Sequence, residues 1–258
     1  MTLLTIGEAT QGRQSLRMPI ELLGPNGASL HVVNGTSPAL LRSACEIFER
    51  VFPEDRRYLP YLRACAQGNH PSHPNTHDHV WLVALNGEWV GVRIFSYIKT
   101  RSFGHGAYIG FTPQARGNGL GRWLVEQTLH QLDDDAKKFG YERSLGYLVE
   151  VERPIDAETE EQRIEDENRL QFHRQCGAIM LPVPFVEPVM IEGVDYITKE
   201  ELKDEEPRPM HLALIPTDYG RTLPHLDVVD LVHGLYCDVY RLSKQHLFVK
   251  NALSHLFK

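Results

Sequence analysis

The stretch Tyr108–Gly121, with the sequence YIGFTPQARGNGLG, constrains the fold of this chain more than any other. It runs from an extended apolar segment through a glycine-rich turn into a helical pattern that Gly140 closes, with apolar positions at Val125, Leu129, Leu132, Ala136 and Phe139. The first N–H groups of such a helix lack intrahelical partners and, together with the helix dipole, attract anions. Glycines at 117, 119 and 121 let a phosphate approach the backbone closely. The stretch therefore predicts a strand, a turn that binds a diphosphate, and an amphipathic helix.

Two protein classes use a glycine-rich turn for the same purpose. A P-loop ends in Gly-Lys-Ser or Gly-Lys-Thr, whereas this turn continues as Gly121-Arg122-Trp123. A Rossmann fingerprint lies early in a parallel sheet, whereas here Asn86-Gly87, a strong signal for a β-hairpin, joins two extended segments ahead of the turn. Both classes are therefore disfavoured.

The turn is similar instead to the acyl-CoA signature of the GNAT N-acetyltransferase superfamily. Gln114–Gly119 reads Q-x-x-G-x-G, and IGFTPQARGNGLGRWLV resembles that family's strand, proline-containing turn and helix. Leu170–Gly177, LQFHRQCG, resembles its second helix, which carries an aromatic pair and ends in glycine. The resemblance implies a GNAT-like acyltransferase domain over residues 29–215, with residues 1–28 as an N-terminal extension and residues 216–258 as a C-terminal helical extension.

The resemblance also implies where acetyl-CoA, the co-substrate, would bind. Main-chain groups of Ile109, Gly110 and Phe111 would contact the pantetheine arm and the thioester, because this strand splays from the next one in the family. A backbone N–H there would polarise the thioester carbonyl. Backbone N–H groups would hold the pyrophosphate, and the side chain of Arg122 would add positive charge. The backbone groups are those of Arg116, Gly117, Asn118, Gly119, Leu120 and Gly121.

Three side chains are candidates for catalysis. Where the family commonly has a tyrosine that protonates the leaving thiolate, this sequence has His173, which can act as an acid or serve only as a polar helix residue. Glu150 and Glu152 alternate with Val149 and Val151, so both carboxylates leave the same face of a strand. Either carboxylate could take the proton of an ammonium group, although solvated carboxylates at a strand end are the simpler interpretation.

Periodicity predicts a mixed α+β fold, with one central, mostly antiparallel sheet flanked by helices. The predicted strands are SLHVV, VWLVAL, WVGVRIFSYI, GAYIGF, SLGYLVEVE, AIMLPVPF and HLALIP. Helices are predicted behind Ser37-Pro38, over residues 54–67, from the glycine turn to Gly140, and over TEEQRIEDENRLQFHRQCG. Two C-terminal helices, in LDVVDLVHGLYCDVYRL and KQHLFVKNALSHLF, would pack either on the domain or against a second copy of the chain, as a homodimer.

Composition limits the classes of partner. The chain has 258 residues and a net charge of −7, which argues against a nucleic-acid binder. It shows no secretory signal and no apolar run long enough for a membrane span, so we expect a cytoplasmic protein without a membrane partner. The four cysteines are far apart and predict reduced thiols. Residues 150–206 hold 17 acidic and 6 basic side chains. This acidic excess indicates either solvated loops or a negative electrostatic field that attracts a cationic amine.

A histidine-rich loop follows the early helices and contains His70, His73, His77, Asp78 and His79. These side chains can ligate a metal, but their spacing matches no established zinc pattern, so we expect no metal here. In a GNAT-like fold the loop would border the acceptor site.

The sequence as a whole predicts an N-acyltransferase that moves an acetyl or other short acyl group to a small-molecule primary amine by direct attack. The alternative is a catalytically silent CoA-binding sensor or interaction domain.

Overall fold

A computed structural model of the chain describes residues 21–68, 70–189, 206–223, 225–254 and 256. The strands are β1 (Glu21–Leu23), β2 (Ala28–Val33), β3 (Thr76–Leu85), β4 (Glu88–Ile98), β5 (Gly104–Phe111), β6 (Gly146–Val151), β7 (Ile179–Met180), β8 (Phe185–Glu187) and β9 (Arg208–Pro216). Within the described residues they form one sheet in the order β1-β2-β3-β4-β5-β6-β9-β7, and β8 pairs with β9. All pairs are antiparallel except β5 with β6. The predicted α+β fold is confirmed.

Helices cover both faces of this sheet. They are α1 (Pro38–Val51), α2 (Leu59–Cys65), α3 (Leu120–Lys138), α4 (Glu160–Gln175), α5 (Asp218–Thr222), α6 (Val228–His233) and α7 (Leu247–Ser254). Because successive side chains of a strand point to opposite faces, Val80 and Leu82 of β3 pack with α1 and α2, whereas Trp81 and Val83 pack with α3. None of the described helices combines the length and the apolar character that crossing a lipid bilayer requires.

Several local predictions hold in detail. Asn86 and Gly87 connect β3 and β4 with φ angles of 52° and 84°, as a hairpin turn with two positive φ values requires. Helix α3 follows the glycine turn, and Gly140, with φ 89°, lies just beyond its end. Cys45, Cys65, Cys176 and Cys237 form no disulfide among the described residues.

Other elements differ from the prediction, mostly at prolines. The helix expected over residues 54–67 is a 3-10 turn, Pro53–Tyr58, followed by α2, whose first turn contains Pro60. The strand expected in AIMLPVPF is divided into β7 and β8 by Pro182 and Pro184, since proline cannot donate to a sheet. Ser37 precedes α1 but makes no capping hydrogen bond through its side chain.

Further differences concern the acidic segment and the C-terminus. The helix predicted over TEEQRIEDENRLQFHRQCG is confirmed as α4, which begins at Glu160 after the N-cap Thr159, so this part of the acidic segment is not a loop. The first C-terminal helix is α6 continued by a π-helical segment, Gly234–Val239. Of the second acidic stretch, KEELKDEEPRP (199–209), residues 199–205 lie outside the described residues, as do residues 1–20, and Arg208 and Pro209 belong to β9.

The C-terminal segment, defined here as residues 225–254, packs on the chain's own sheet. Leu231 and Leu235 are buried in a cluster with Phe103, Leu148 and Leu214. The first of the two predicted apolar stripes is therefore covered within the chain. On α7, Leu247 is 63% exposed. A homodimer and the boundaries of the three predicted regions stay predictions, and β1, inside the predicted N-terminal extension, adds an edge strand to the sheet.

Strands β5 and β6 diverge, and this positions the site. They pair only at Gly104 with Tyr147 and at His105 with Leu148. The register between β4 and β5 shifts at the same level, between Ile94 and Ser96. Beyond His105, β5 has no strand partner on this side among the described residues. The sheet thus opens into a gap bordered by main-chain groups.

Candidate active site

A cavity of about 750 Å³ occupies the gap between β5 and β6. Its walls come from β5, the glycine turn, α4, the strands β6, β8 and β9, and the C-terminal segment. All the predicted site residues except Asn118 line it: Ile109, Gly110, Phe111, Arg116, Gly117, Gly119, Leu120, Gly121, Arg122, Glu150, Glu152 and His173. The structure therefore brings two distant parts of the chain, predicted separately, to one site.

The glycine turn exposes main-chain N–H groups at one end of the cavity. Gly117 and Gly119 have φ angles of 79° and 75°, and a Cβ atom at either position would meet no heavy atom within 4 Å. The first helical bond of α3 runs from Trp123 N to Gly119 O (3.2 Å), so the three preceding N–H groups have no intrahelical acceptor. This end of the cavity fits an anion such as a diphosphate.

Two residues of the turn have other tasks. Asn118 faces away from the cavity, since its Nδ2 donates to Ala115 O (3.2 Å) and its carbonyl accepts from Asn26 Nδ2 (3.3 Å). A Cβ at Gly121 would come within 2.9 Å of the Phe172 ring, so this glycine permits α3 to pack against α4. Only the turn's other glycines give free access to the backbone.

Arginines border the same end. Arg116 Nε donates to Phe111 O (3.3 Å), and Arg122 Nη2 donates to Gln175 O (3.4 Å). Both side chains line the cavity and add positive charge near the helix N-terminus.

The β5 wall is tightly supported from behind. A Cβ at Gly110 would lie 2.4 Å from Val51 Cγ1 and 2.5 Å from Phe52 Cζ. A glycine here lets the end of α1 rest directly on β5. Tyr108 packs edge-on against the rings of Phe48 and Phe52, with centroids 4.9 and 5.1 Å away.

Glu150 is the best-held carboxylate of the cavity. His105 Nε2 lies 2.8 Å from its Oε2, and the Tyr240 hydroxyl donates to its Oε1 (2.6 Å). Burial raises the pKa of Glu150, but the His105 charge and the two hydrogen bonds outweigh burial and leave the pKa below its usual value. Glu150 is therefore an ionised carboxylate inside the protein.

His105 and Tyr240 were missed by the sequence analysis. Their contacts with Glu150 span 45 and 90 residues, so no local pattern indicates them. The one available signal is a histidine at the start of the strand that leads into the glycine turn. Nδ1 of His105 is buried and has no hydrogen-bond partner among the described residues.

Glu152 also lines the cavity but in a wetter setting. Its side chain is 34% exposed and lies 3.3 Å from Arg169 Nη1 of α4. The predicted pair of carboxylates thus shares the cavity, with different partners and burial.

His173 lies on α4 with 9% of its surface exposed. Burial, with a smaller contribution from the Arg93 charge, lowers the pKa of His173 to about 4. Its Nδ1 has no hydrogen-bond partner among the described residues. His173 is therefore a neutral imidazole at physiological pH.

The far end of the cavity is rich in acidic groups. Glu187 on β8 pairs with Arg208 on β9 through Oε2 (2.6 Å to Nη2). Burial raises the pKa of Glu187 to about 7, and the nearby charge of Glu150 adds to the effect. Among the described residues five arginines line the whole cavity, against eight carboxylates: Asp55, Asp78, Glu150, Glu152, Glu165, Glu187, Glu206 and Asp238.

The predicted histidine-rich loop is partly strand, because His77, Asp78 and His79 lie on β3, and its side chains contribute to two groups of metal-ligating residues. Cys65, His73 and Asp78 form one, and His77, His79 and Asp135 the other, each with ligand atoms within 4.8 Å of one another. His73 Nδ1 lies 2.5 Å from Asp78 Oδ2, and His79 Nε2 lies 2.7 Å from Asp135 Oδ2. Either group can hold a metal ion, so the expectation of no metal stays a prediction. His73 and Asp78 line the cavity, where the loop was expected to border the acceptor.

Comparison with known proteins shows a similarity to one family. Residues 39–157 match the sequence profile of the acetyltransferase (GNAT) family. A search of curated proteins gave no significant match. A GNAT-family protein from Bacteroides thetaiotaomicron is 17% identical, with a TM-score of 0.52 over 83% of this chain and 99% of that chain, which shows a shared fold.

Two further solved structures are similar at lower scores. A GNAT family acetyltransferase from Elizabethkingia anophelis, with acetyl-CoA bound, is 12% identical, with a TM-score of 0.45 over 74% of this chain and 98% of that chain. A Bacillus subtilis acetyltransferase in complex with CoA is 12% identical, with a TM-score of 0.41 over 73% of this chain and 97% of that chain.

Proposed function

We propose that this chain, of which residues 39–157 match the profile of the acetyltransferase (GNAT) family, transfers an acetyl or other short acyl group from acyl-CoA to a primary amine by direct attack. The observation that carries the proposal is the cavity between β5 and β6, which has unpaired helical N–H groups at one end and an ionised, buried carboxylate further in. Acyl-CoA and an amine need these two environments in one cavity.

We assign the acyl donor to the glycine turn and β5. Backbone N–H groups from Arg116 to Gly121 bind the pyrophosphate, with Arg116 and Arg122 adding charge. Asn118 takes part through its backbone alone, because its side chain bonds to Ala115. Main-chain groups of Ile109, Gly110 and Phe111 hold the pantetheine arm and the thioester, since among the described residues β5 has no strand partner there on its β6 side.

The proton of the acceptor goes to the pair of His105 and Glu150. In the form that acts as the base His105 is neutral, with its one proton assigned to Nε2 for the bond to Glu150 and a lone pair on Nδ1, which has no hydrogen-bond partner among the described residues. The carboxylate stabilises the imidazolium that forms, which is the arrangement of a carboxylate-oriented general base. Glu150 is the more suitable of the two predicted carboxylates, because Glu152 is partly exposed and paired with Arg169.

The reaction then needs no covalent enzyme intermediate. The neutral amine nitrogen bonds to the thioester carbon, the carbonyl oxygen gains charge next to a β5 N–H, and the C–S bond breaks with its electron pair on sulfur. The ammonium form of the acceptor loses two protons on the way to the amide, one before attack and one from the tetrahedral intermediate; one proton ends on the thiolate sulfur and the other in solvent. His173 is in position to donate a hydrogen bond as a neutral imidazole, and its role as the acid stays a proposal.

The acceptor is a small-molecule amine with positive charge. Eight carboxylates line the cavity among the described residues, and Arg116 and Arg122 belong to the donor end. An excess of negative charge concentrates a cationic substrate. Because such attraction is screened by salt, the KM for a cationic amine should rise with ionic strength.

Two measurements test the function. Calorimetry should detect CoA binding, and thiol release from acetyl-CoA should depend on an added amine from a panel of monoamines, diamines and amino sugars. Binding without thiol release for any amine would favour a catalytically silent CoA-binding sensor. Absence of CoA binding at millimolar concentration would contradict both functions.

A further inference from the structure

Two histidines and a carboxylate meet on the α3 face of the sheet, outside the cavity. His77 and His79 of β3 point to the same face as Trp81, which packs with α3, and Asp135 lies in the last turn of α3. The ligand atoms of the three side chains lie within 4.8 Å of one another. None of the three lines the cavity, so this cluster is separate from the residues proposed for acyl transfer.

Two contacts assign the proton of the His77 ring. Its Nδ1 lies 3.0 Å from Gly68 O, and a carbonyl oxygen only accepts, so Nδ1 carries the proton. Its Nε2 lies 3.0 Å from Lys138 Nζ, and an ammonium group only donates, so Nε2 presents its lone pair. Histidines that bind a metal have this arrangement, in which a carbonyl holds the ring nitrogen that is not a ligand. His77 is thus oriented to bind a metal through Nε2.

Packing and hydrogen bonds hold the other two side chains. Gln131 Nε2 donates to Asp135 Oδ1 (3.2 Å), and His79 Nε2 lies 2.7 Å from Asp135 Oδ2. Only 2% of the Asp135 surface is exposed. The His79 ring is stacked on Phe95, with centroids 4.6 Å apart. A carboxylate oxygen and a second imidazole nitrogen are therefore fixed next to Nε2 of His77.

Positively charged hydrogens already occupy the space between these ligand atoms. The ammonium of Lys138, an exposed residue, approaches Nε2 of His77, and a hydrogen lies between His79 and Asp135. One metal cation can replace both. Zn²⁺ binds imidazole nitrogen and carboxylate oxygen at about 2.0–2.2 Å, which places neighbouring ligand atoms of a tetrahedral site roughly 3.3 Å apart. Small side-chain rotations bring the cluster to this spacing.

We propose that His77, His79 and Asp135 bind a zinc ion, with water as the fourth ligand, and that this ion connects the start of β3 to the end of α3. The ion stabilises the fold and takes no part in acyl transfer, so the inference does not depend on the proposed function. The spacing within the histidine-rich segment matches no zinc pattern because one ligand lies 56 residues beyond His79. For that reason the sequence alone predicted no metal here.

Titration of the untagged, metal-free chain with Zn²⁺ tests the site directly. Calorimetry should detect zinc binding, and the thermal unfolding temperature should rise as the ion saturates the folded chain. Mg²⁺ should have neither effect, because it prefers a shell of oxygen ligands. A wild-type chain that binds no zinc at millimolar concentration overturns the inference.

Paired variants locate the ion. Asp135→Asn and His79→Gln should each weaken zinc binding at least about tenfold, as loss of a ligand requires. Asp134→Asn and His130→Gln are the matched controls, because both residues are exposed on the same helix and lie outside the cluster. The controls should retain wild-type affinity. Equal zinc affinity in Asp135→Asn and Asp134→Asn would contradict the inference.

The second metal-ligating group, Cys65, His73 and Asp78, has to be distinguished from this site. Asp78→Asn changes that group alone and should leave the zinc-induced rise in unfolding temperature intact. Loss of zinc binding in Asp78→Asn, with retention in folded Asp135→Asn, would place the ion in the other group and overturn the proposal.

A variant at an exposed position tests the site without disturbing the core. Lys138→Gln removes the ammonium that competes with the metal for Nε2 of His77, so zinc should bind about two- to fivefold more tightly than in the wild type. Lys137→Gln is the control for loss of one surface charge, because Lys137 pairs instead with Asp134 (3.2 Å). The same change of affinity in both variants would argue against a ligand role for His77.

Discussion

At the scale of single residues, two buried side chains of the cavity are both deprotonated but differ in charge. Glu150 stays ionised because His105 and Tyr240 hydrogen-bond to it, which outweighs its burial. His173 stays neutral because nothing comparable offsets its burial and Arg93 repels an added proton. One cavity thus contains both a fixed negative charge and an uncharged imidazole.

Glu150→Gln should lower kcat by about 100- to 10,000-fold, the range typical for loss of general acid–base catalysis. The amide cannot stabilise an imidazolium at His105. CoA affinity should remain within about twofold, because Glu150 is far along the cavity from the glycine turn. Glu152→Gln is the matched control, and steady-state kinetics on both variants make the comparison. An equal loss in the two variants would contradict the assignment of Glu150.

His173 should make the protein less stable at acid pH. Its folded pKa, about 4, is below the unfolded value near 6.5, so its neutral form is favoured above pH 6.5 and stability is lost as pH falls toward 4. The full effect is about 3 kcal/mol of unfolding free energy. His173→Gln should show a correspondingly flatter stability profile between pH 7 and 4 in denaturant titrations.

His130→Gln, on the exposed side of α3, is the control for loss of one histidine. If His173→Gln and wild type lose stability in parallel as pH falls, His173 does not titrate as a buried neutral group.

Turnover of His173→Ala should fall while CoA affinity is retained. An equal loss of turnover and CoA affinity would indicate a packing role.

At the scale of elements, the turn before α3 has a backbone shape that depends on glycine. Gly119 occupies the N-cap position with φ 75°, and Gly140 follows the same helix with φ 89°. A Cβ would meet no heavy atom at either position, so the two differ mainly in which end of the helix they occupy. Only the N-terminal end presents free N–H groups to an anion.

Gly119→Val should weaken CoA binding by at least about tenfold, because the side chain obstructs the approach of the phosphates and strains the turn. Gly140→Val imposes a similar positive-φ strain at the other end and should reduce stability by about 1–2 kcal/mol without changing CoA affinity. Calorimetry and thermal unfolding separate the two effects. Unchanged affinity in Gly119→Val would contradict the diphosphate assignment.

At the scale of the whole molecule, the C-terminal segment belongs to both the core and the site. Leu231, Leu235 and Tyr236 are at most 1% exposed, and they bury Phe103 and Leu148 of the central sheet. Tyr240 reaches Glu150, and Arg101 is paired with Asp238 (3.0 Å). The segment therefore completes the acceptor end of the cavity.

Truncation after Thr222 should prevent cooperative folding, because it uncovers a large apolar surface of the sheet. Circular dichroism should show no sharp thermal transition, and a dye for exposed apolar surface should bind. Tyr240→Phe is the milder companion change, which should keep the fold and reduce turnover. A truncated chain that unfolds cooperatively near the wild-type temperature would show that the segment is dispensable for the core.

The sequence by itself determined the features that depend on near neighbours along the chain. The Asn86-Gly87 hairpin, the strand and helix periods and the glycine turn before α3 follow from backbone geometry over a few residues. Glu150 and Glu152 alternate with valines, which predicts that both carboxylates leave one face of the strand, and both line the same cavity. The predicted helix over 54–67 and strand in AIMLPVPF were less accurate, because prolines interrupt them.

Only the tertiary structure decided which side chains meet in the cavity and in what charge state. His105, Glu150 and Tyr240 come from three parts of the chain. Such contacts depend on how strands pair and where they separate, which no local pattern encodes. Because burial and opposite charge set each pKa, the chemistry of this site exists only once the sheet has opened between β5 and β6.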